Sequence, residues 1–446
     1  MDISIKRIHF IGIGGIGISA LAKFLRAQGV EISGSDIAEG SVTKELKEIG
    51  IQVSIPHTKD AICGQDLVIH SAIIKEDNIE VQEAHAQNIP VLSRKESLKM
   101  ILGNKEVFAV AGAHGKSTTT AILSAILKDA SALIGAESKE FCSNTRALSG
   151  NRVVFEADES DKSFLECNPT CAIVTNAEPE HMETYNHDLS QFYGAYESFL
   201  RLAKICVINA EDSFLGVLQD LGNLCVRFYP SKDLQNIRYI VENGMPKTQF
   251  TLTNANKDYG TFSVYGLGEH IAIDAALAIL AASQILPLNE IRKNIQDYCG
   301  IKKRFDILTQ GECVIIDDYA HHPTEITATL KALKKYQELK GAKQLVAIWQ
   351  PHKYSRIKDN LEGFISCFEG VDSLVILPVY AAGEAAIAMD FATLFARYNP
   401  IFADEVKRIG NALYLLKDNQ EIAHLKEGII VGFNAGNLTY ALRGGI

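Results

Sequence analysis

The stretch from Ala111 to Thr120, A-G-A-H-G-K-S-T-T-T, constrains the fold more than any other part of the chain. Val107-Phe108-Ala109-Val110 before it is an apolar run with the bulk of a buried strand, and Ala121 to Leu127 after it has helical apolar spacing. Glycines at such a strand-to-helix turn leave room for a phosphate against the backbone. The N–H groups of the helix start then face the anion, at the positive end of the helix dipole. Lys116 can reach terminal phosphates and the Ser117 hydroxyl can ligate Mg²⁺. A full phosphate loop needs Gly at position 110, which is Val here, so this is a shortened G-x-x-G-K-S version. It predicts a nucleoside-triphosphate site.

A chain of 446 residues is too long for one core and predicts two or three domains. The formal charge of −10 argues against a broad nucleic-acid surface. The nine cysteines contain no C-x-x-C pair; Cys167 and Cys171 lack the second pair a zinc set would need, so most are expected to be buried free thiols in a reducing cytosol. No secretory leader is read before the first strand. The longest apolar stretch, Ile8 to Leu25, is interrupted by Gly12, Gly14, Gly15, Gly17 and Lys23, so no membrane insertion is expected.

A second glycine motif opens the chain. Ile8 to Ile11 runs into Gly12-Ile13-Gly14-Gly15-Ile16-Gly17 and a helix to about Gln28, and a strand over 30–33 ends near Asp36. Alone this matches a dinucleotide fingerprint, with Asp36 on a ribose hydroxyl, and an NAD-binding oxidoreductase is one reading. The same glycines serve any diphosphate at a helix start, a UDP-sugar included. Further strands over 66–70 and 89–92 lead to Ser71 and to Arg94, at strand ends where ligands of open α/β sheets collect.

A boundary near residues 103–104 precedes the phosphate-loop domain, which runs to Gly300. There the strand over 152–157 ends in the acidic run Glu156-Ala157-Asp158-Glu159-Ser160-Asp161, oxygen donors of the kind Mg²⁺ takes. The strand over 171–175 leads to Asn176 and His181, read as a metal or phosphate group. Residues 238–264 read as an antiparallel patch with a turn at Asn243-Gly244. The apolar helix of 266–283 carries His270 and Asp274 one turn apart. From Ile301 the βα pattern returns, with polar clusters at strand ends: Arg304, Asp317-Asp318-Tyr319-Ala320-His321 and His352-Lys353-Tyr354-Ser355-Arg356.

Nine blocks in order then resemble one family, the Mur ligases. They include H-F-I-G-I-G-G-I-G-I-S-A-L-A at 9–22, A-G-A-H-G-K-S-T-T-T at 111–120, E-A-D-E-S-D at 156–161, T-N-A-E-P-E-H at 175–181, D-D-Y-A-H-H-P-T-E at 317–325 and W-Q-P-H-K-Y-S-R at 349–356. The resemblance implies an α/β fold of three domains: a Rossmann-like UDP-substrate domain (1–104), a P-loop-type central ATP domain with a small antiparallel patch (105–300) and a Rossmann-like amino-acid domain (301–446). It is closest to members that add L-alanine to the lactyl carboxylate of UDP-N-acetylmuramate in peptidoglycan synthesis, using ATP and Mg²⁺, with Mn²⁺ as a substitute. A relative that recycles whole peptides onto the same acceptor is the alternative.

Carried over residue by residue, the resemblance places UDP on Gly12, Gly14, Gly15, Ile16, Gly17, Ser35, Asp36, His57, Ser71, Ala72 and Arg94. ATP falls to Gly112, Ala113, His114, Gly115, Lys116, Ser117, Thr118, Asn176, His270, Asp274, Arg304 and Asp318. Metal falls to Ser117, Glu156 and His181, and alanine to Tyr319, His321, His352, Lys353 and Arg356. Lys116, Glu156, His181, Arg304 and His321 are the expected catalytic set. The chain departs from the family in Ile271 and Asp274, where H-N-x-x-N is common, and in Lys353, where arginine is common and gives a two-pronged contact. It has no lysine at 194–198, as is usual for the alanine-adding type. A cytoplasmic monomer or homodimer is expected.

Overall fold

The computed structural model describes residues 5–445. The chain forms two compact units. Among the described residues, one comprises 5–237, 250–264 and 270–299, and the other 238–249, 265–269 and 300–445.

The first unit holds two sheets. The N-terminal one has five strands, β1 (Arg7–Ile11), β2 (Glu31–Ser35), β3 (Gln52–Ser54), β4 (Leu67–His70) and β5 (Val91–Ser93), in the order β3-β2-β1-β4-β5 and parallel throughout. Strand order reverses between β1 and β4, and a doubly wound sheet opens its ligand crevice at that point. Helices α1 (Ile16–Ala27), α2 (Ser41–Glu48), α3 (Ile79–Ala86) and α4 (Arg94–Leu102) connect the strands. Ser93 caps α4 and Glu96 reaches back to the Ser93 amide, a reciprocal cap that fixes where Arg94 begins.

The second sheet has seven strands: β6 (Glu106–Ala111), β7 (Ser131–Ser138), β8 (Ser143–Arg146), β9 (Arg152–Glu156), β10 (Cys171–Val174), β11 (Ile205–Asn209) and β12 (Leu224–Phe228). Their order is β12-β11-β10-β6-β9-β7-β8, and only β8 runs antiparallel to its neighbour. Fully buried Val107, Ala109 and Ala111 of β6 share one core with Phe10, Leu21 and Phe24 of the first sheet and its helix. Polar contacts tie the same layers. Asn144 Nδ2 donates to the Ile16 carbonyl (2.7 Å), and Lys23 Nζ reaches Asn144 Oδ1 (2.9 Å) and Glu45 (2.5 Å). Lys23 is only 9 % exposed, so its charge needs those partners.

The expected antiparallel patch is β13 (Leu234–Glu242), β14 (Met245–Asn254) and β15 (Lys257–Tyr265), joined by two-residue turns at Asn243-Gly244 and Ala255-Asn256. The sequence placed this patch wholly in the central domain. In the structure residues 238–249 group with the second unit, where Tyr239, Val241 and Met245 pack on its core and Tyr336 Oη donates to the Gly244 carbonyl.

The second unit centres on β16 (Asp306–Ile307), β17 (Cys313–Asp318), β18 (Leu345–Trp349), β19 (Ser373–Ile376), β20 (Ile401–Phe402) and β24 (Gly428–Phe433), ordered β16-β17-β24-β18-β19-β20. All pairs are parallel except β16–β17. A separate antiparallel meander, β21 (Glu405–Ile409), β22 (Ala412–Lys417) and β23 (Gln420–Leu425), was not anticipated from the sequence. No helix among the described residues is long and apolar enough to cross a membrane.

Candidate active site

The first glycine loop is built by β1, β2 and the start of α1. The Ser35 carbonyl accepts from the amides of Gly12 (2.8 Å) and Ile13 (2.9 Å), and Asp36 Oδ2 accepts from the Gly14 amide (2.8 Å). A Cβ on Gly14 would stand 2.7 Å from that carboxylate oxygen, so the acid and the glycine require each other. Asp36 Oδ1 takes the Ile37 amide (2.8 Å). The residue expected to meet a ribose therefore also shapes the loop. Arg94 lies across Gly17, where an added Cβ would sit 3.1 Å from Nε, and that buried Nε has no hydrogen-bond partner. Its Nη1 donates to Ser163 Oγ (3.2 Å) and lies 3.7 Å from Asp161. His57 bonds Ser35 through Nδ1 (2.9 Å).

The second loop joins β6 to α5 (Lys116–Ile126). Gly115 caps the helix at φ +80°, a conformation glycine adopts without strain. Gly112, at φ +139°, is packed so closely that a Cβ would clash with Thr175 Oγ1 and the Asn176 backbone. Asn176 braces the loop tip, accepting from the His114 amide (3.0 Å) and donating to the His114 carbonyl (3.0 Å). Ala113 is half-buried and Thr118 buried beneath the loop. Lys116 Nζ donates to the carbonyls of Gly112 and Ala113 and pairs with Glu159 Oε1 (2.7 Å). Burial pushes the Glu159 carboxyl up, and the ammonium of Lys116 pulls it the other way. Asp274, buried on the helix Glu269–Ala282, stands where a Cβ on Gly115 would touch it at 2.5 Å, while His270 at that helix's start is exposed.

Ser117 Oγ donates to Glu156 Oε1 (2.9 Å), and Glu156 Oε2 accepts from the Gly135 amide (2.7 Å). Two hard oxygens side by side suit Mg²⁺, which keeps several waters and leans on substrate phosphates more than on a protein cage. No cluster of three or more His, Cys, Asp or Glu side chains suited to a metal occurs among the described residues. His181 is exposed, with Nδ1 3.8 Å from Glu183.

Both loops open into one cleft of about 420 Å³. Gly15, Gly17, Ser71, Ala72 and Arg94 line one side, with Ile16 beside them, and Lys116, Gly135, Glu156, Asp158 and Asp161 line the other. Ser35 and His57 do not line it.

In the second unit, Asp318 Oδ2 accepts from the Phe305 amide (2.8 Å) and Oδ1 from the Ala320 amide (2.8 Å). Burial raises its carboxyl to about 6 against the pull of those amides and of Arg304. Arg304 itself is exposed. Asp318 thus clamps the Lys302–Asp306 turn. Nearby, His321 Nδ1 meets the Tyr319 carbonyl (2.9 Å), and the rings of His321 and His352 lie 6.2 Å apart. Arg356 Nη1 is 2.8 Å from His352 Nδ1. Burial lowers the basicity of His352, and Arg356, His321 and Lys353 add to the effect, so a neutral ring accepting from Arg356 is favoured. Lys353 holds φ +66° just before the helix Tyr354–Asp359. Tyr380 stacks on His352 at 5.6 Å and 12°.

Three family models match in chain order: the Mur ligase family catalytic domain over residues 7–106, the Mur ligase middle domain over 110–282, and the Mur ligase glutamate ligase domain over 303–425. The chain belongs to the Mur ligase family. It is 54% identical over 441 residues to a UDP-N-acetylmuramate–L-alanine ligase of Campylobacter curvus, covering 99% of this chain and 100% of that protein. A Helicobacter pylori (strain P12) protein of the same name is 53% identical over 440 residues, covering 98% and 96%. A solved UDP-N-acetylmuramate–alanine ligase from Thermotoga maritima matches with a TM-score of 0.79 at 26% identity, covering 98% of this chain and 97% of that one.

Three groups in this Mur ligase were not assigned from sequence. Glu159 lies in the quoted acidic run, but its pairing with Lys116 spans 43 residues. Gly135 and Tyr380 carried no motif signal. Residues expected for alanine, Tyr319, His321, His352 and Arg356, are linked through successive contacts, whereas the Lys353 side chain makes no hydrogen bond or ion pair among those described.

Proposed function

We propose that this Mur ligase joins L-alanine to the lactyl carboxylate of UDP-N-acetylmuramate, with ATP converted to ADP and phosphate, in cytoplasmic peptidoglycan synthesis. The observation that carries this reading is the single cleft shared by the two glycine loops. A UDP-sugar on the first loop can extend its acid toward the second, where ATP phosphates would lie. The names of the relatives at 53–54% identity support the choice of alanine as the added residue. Functional boundaries at about 104 and 300 follow the same reading.

A carboxylate expels hydroxide poorly, so the acid is first phosphorylated. The carboxylate oxygen attacks the γ-phosphorus, ADP leaves, and an acyl phosphate results. The uncharged amine of alanine then attacks the carbonyl carbon, and the tetrahedral intermediate collapses with loss of phosphate to the amide. Two anions meet in the first step, and preorganised cations stabilise charge developing there. Lys116 turns from Glu159 toward the β- and γ-phosphates, and Arg94 faces the diphosphate beside Gly17. Ser117 and Glu156 would hold Mg²⁺, which would supply Lewis-acid neutralisation of the phosphates. A second metal on His181 rests on the family resemblance alone. In the second unit, Arg356 would pair the alanine carboxylate, oriented by neutral His352, with Tyr319 and His321 beside it. Asp318 would act on ATP by shaping the turn that carries Arg304.

Phosphate release by the purified full chain with ATP, Mg²⁺ and UDP-N-acetylmuramate tests the reading. Release is expected with L-alanine and not without it. Release that ignores L-alanine, or that needs a whole peptide in its place, sinks the assignment.

A further inference from the structure

Behind the first loop lies a buried polar cluster that the reaction above does not use. Glu80, on α3, is fully buried. Its Oε1 accepts from the Thr58 amide (2.9 Å), and its Oε2 accepts a short hydrogen bond from the Ser35 hydroxyl. His9 Nε2 lies 3.3 Å from Oε2 and His57 Nδ1 lies 3.5 Å from it. Burial alone would raise the Glu80 carboxyl, but the bonds from His9, Ser35 and Thr58 outweigh it and hold the group below the usual range. It is a carboxylate, and a carboxylate only accepts.

The remaining proton positions follow. Ser35 has one hydroxyl hydrogen, and Glu80 takes it. Ser35 Oγ is also 2.9 Å from His57 Nδ1, where it can then only accept, so Nδ1 bears the hydrogen. In a neutral imidazole the other nitrogen is an acceptor. That nitrogen, His57 Nε2, is buried and has no hydrogen-bond partner. Leaving a buried acceptor unmet is unfavourable, so this one calls for a donor from a ligand.

Topology indicates which part of the ligand. In the order β3-β2-β1-β4-β5, the cleft residues Ser71 and Arg94 follow β4 and β5, while Ser35 and His57 follow β2 and β3. A diphosphate on the β1–α1 loop with its sugar acid in the cleft has its nucleoside on the β2–β3 side.

We propose that Glu80 is a positioning residue that fixes His57 as the Nδ1–H tautomer, so that Nε2 accepts from a donor of the bound nucleoside, a ribose hydroxyl or a base N–H. This rests on the UDP reading of the first loop. It explains why a wholly buried acid stands under a site that binds an anion: the charge sets a tautomer and never meets the phosphates.

The test uses the full chain labelled with ¹⁵N-histidine at pH 8, with His57→Gln to identify the signals. Wild-type protein should show a protonated Nδ1 and an unprotonated Nε2 that shifts when UDP is added. Glu80→Gln, whose amide can donate to Ser35 and reverse the chain of bonds, should populate the Nε2–H form and weaken UDP binding about tenfold. In the His57→Gln background the same change should weaken UDP less than about twofold, because Glu80 acts through His57. Should Glu80→Gln fail to fold, Ser35→Ala removes the Nδ1–H acceptor and serves in its place. Weaker binding of CDP than UDP identifies the base N–H, and weaker binding of 2′-deoxy-UDP identifies the ribose. A wild-type Nε2–H tautomer, or equal Glu80→Gln effects with and without His57, overturns the proposal. If wild type shows the Nδ1–H spectrum but binds no UDP, the nucleoside reading of the loop fails and the tautomer stands.

Discussion

The two glycine loops of the first unit look alike in sequence and differ in what surrounds them. The loop at 12–17 has no lysine. A carboxylate on its own amide shapes it, and the guanidinium of Arg94 reaches it from another strand end. The loop at 112–115 runs straight into Lys116, the first residue of α5, and is ringed by Glu156, Glu159 and Asp274. The first arrangement suits an anion that is only held. The second keeps a cation paired with a buried acid and places the oxygens of Ser117 and Glu156 beside it. A glycine turn at a helix start therefore reports a phosphate, and only its neighbours report whether that phosphate reacts.

Lys116→Ala should separate the loops most sharply. Turnover should fall by at least about a hundredfold, as when a transition-state charge partner is lost, while UDP-N-acetylmuramate binding by calorimetry stays unchanged. Loss of both in a folded variant would falsify the division of labour. Gly14→Ala should do the converse. Its Cβ meets Asp36 at 2.7 Å and Thr43 at 3.2 Å, so UDP-substrate affinity should drop about tenfold from overpacking, with ATP affinity intact. Gly135→Ala acts at one remove, since its Cβ would lie 2.5 Å from Glu156 Oε1. The Mg²⁺ concentration for half-maximal turnover should rise severalfold, because a displaced ligand binds metal more weakly. An unchanged Mg²⁺ requirement would detach Glu156 from the metal.

The smallest effect concerns stability. Asp318 titrates near 6 in the folded chain against 3.8 for an ordinary aspartate. Between those values the folded state binds more protons than the unfolded one, so this group's contribution falls as pH rises through the window and levels off above it. Asp318→Asn should flatten that part of the unfolding profile relative to wild type, measured by denaturant titration from pH 4 to 7. A parallel shift at all pH values would mean the group does not titrate there.

Much of the fold was legible because its strands are short apolar runs ended by polar clusters. The strands expected over 152–157 and 171–175 run Arg152–Glu156 and Cys171–Val174, within a residue of the expectation, since buried parallel strands leave little ambiguity about where the apolar run stops. The meander of β21 to β23 was missed, although Gly410-Asn411 and Asp418-Asn419 mark its turns, because its outer residues are mixed and its alternation weak. At the site, motif residues that contact backbone or their own loop were readable. Pairings across the sheet were not. Nothing local in the sequence joins Lys116 to Glu159 or His352 to Tyr380, because strand order creates those contacts. The split of the β13–β15 patch was hidden for a similar reason: Tyr239 and Met245 look like ordinary strand residues until the surface they cover is known.

The brace of Lys23 and Asn144 between α1 and β8 has a consequence for substrate choice. Because Asn144 grips the Ile16 carbonyl at the rim of the first loop, the gap between the two glycine loops is held by a fixed spacer, as on a jig. An acceptor whose acid hangs one bond nearer to or farther from its diphosphate would dock equally well and present its carboxylate out of range. Selection among acceptors would then appear in the rate of phosphoryl transfer while the dissociation constant barely moved.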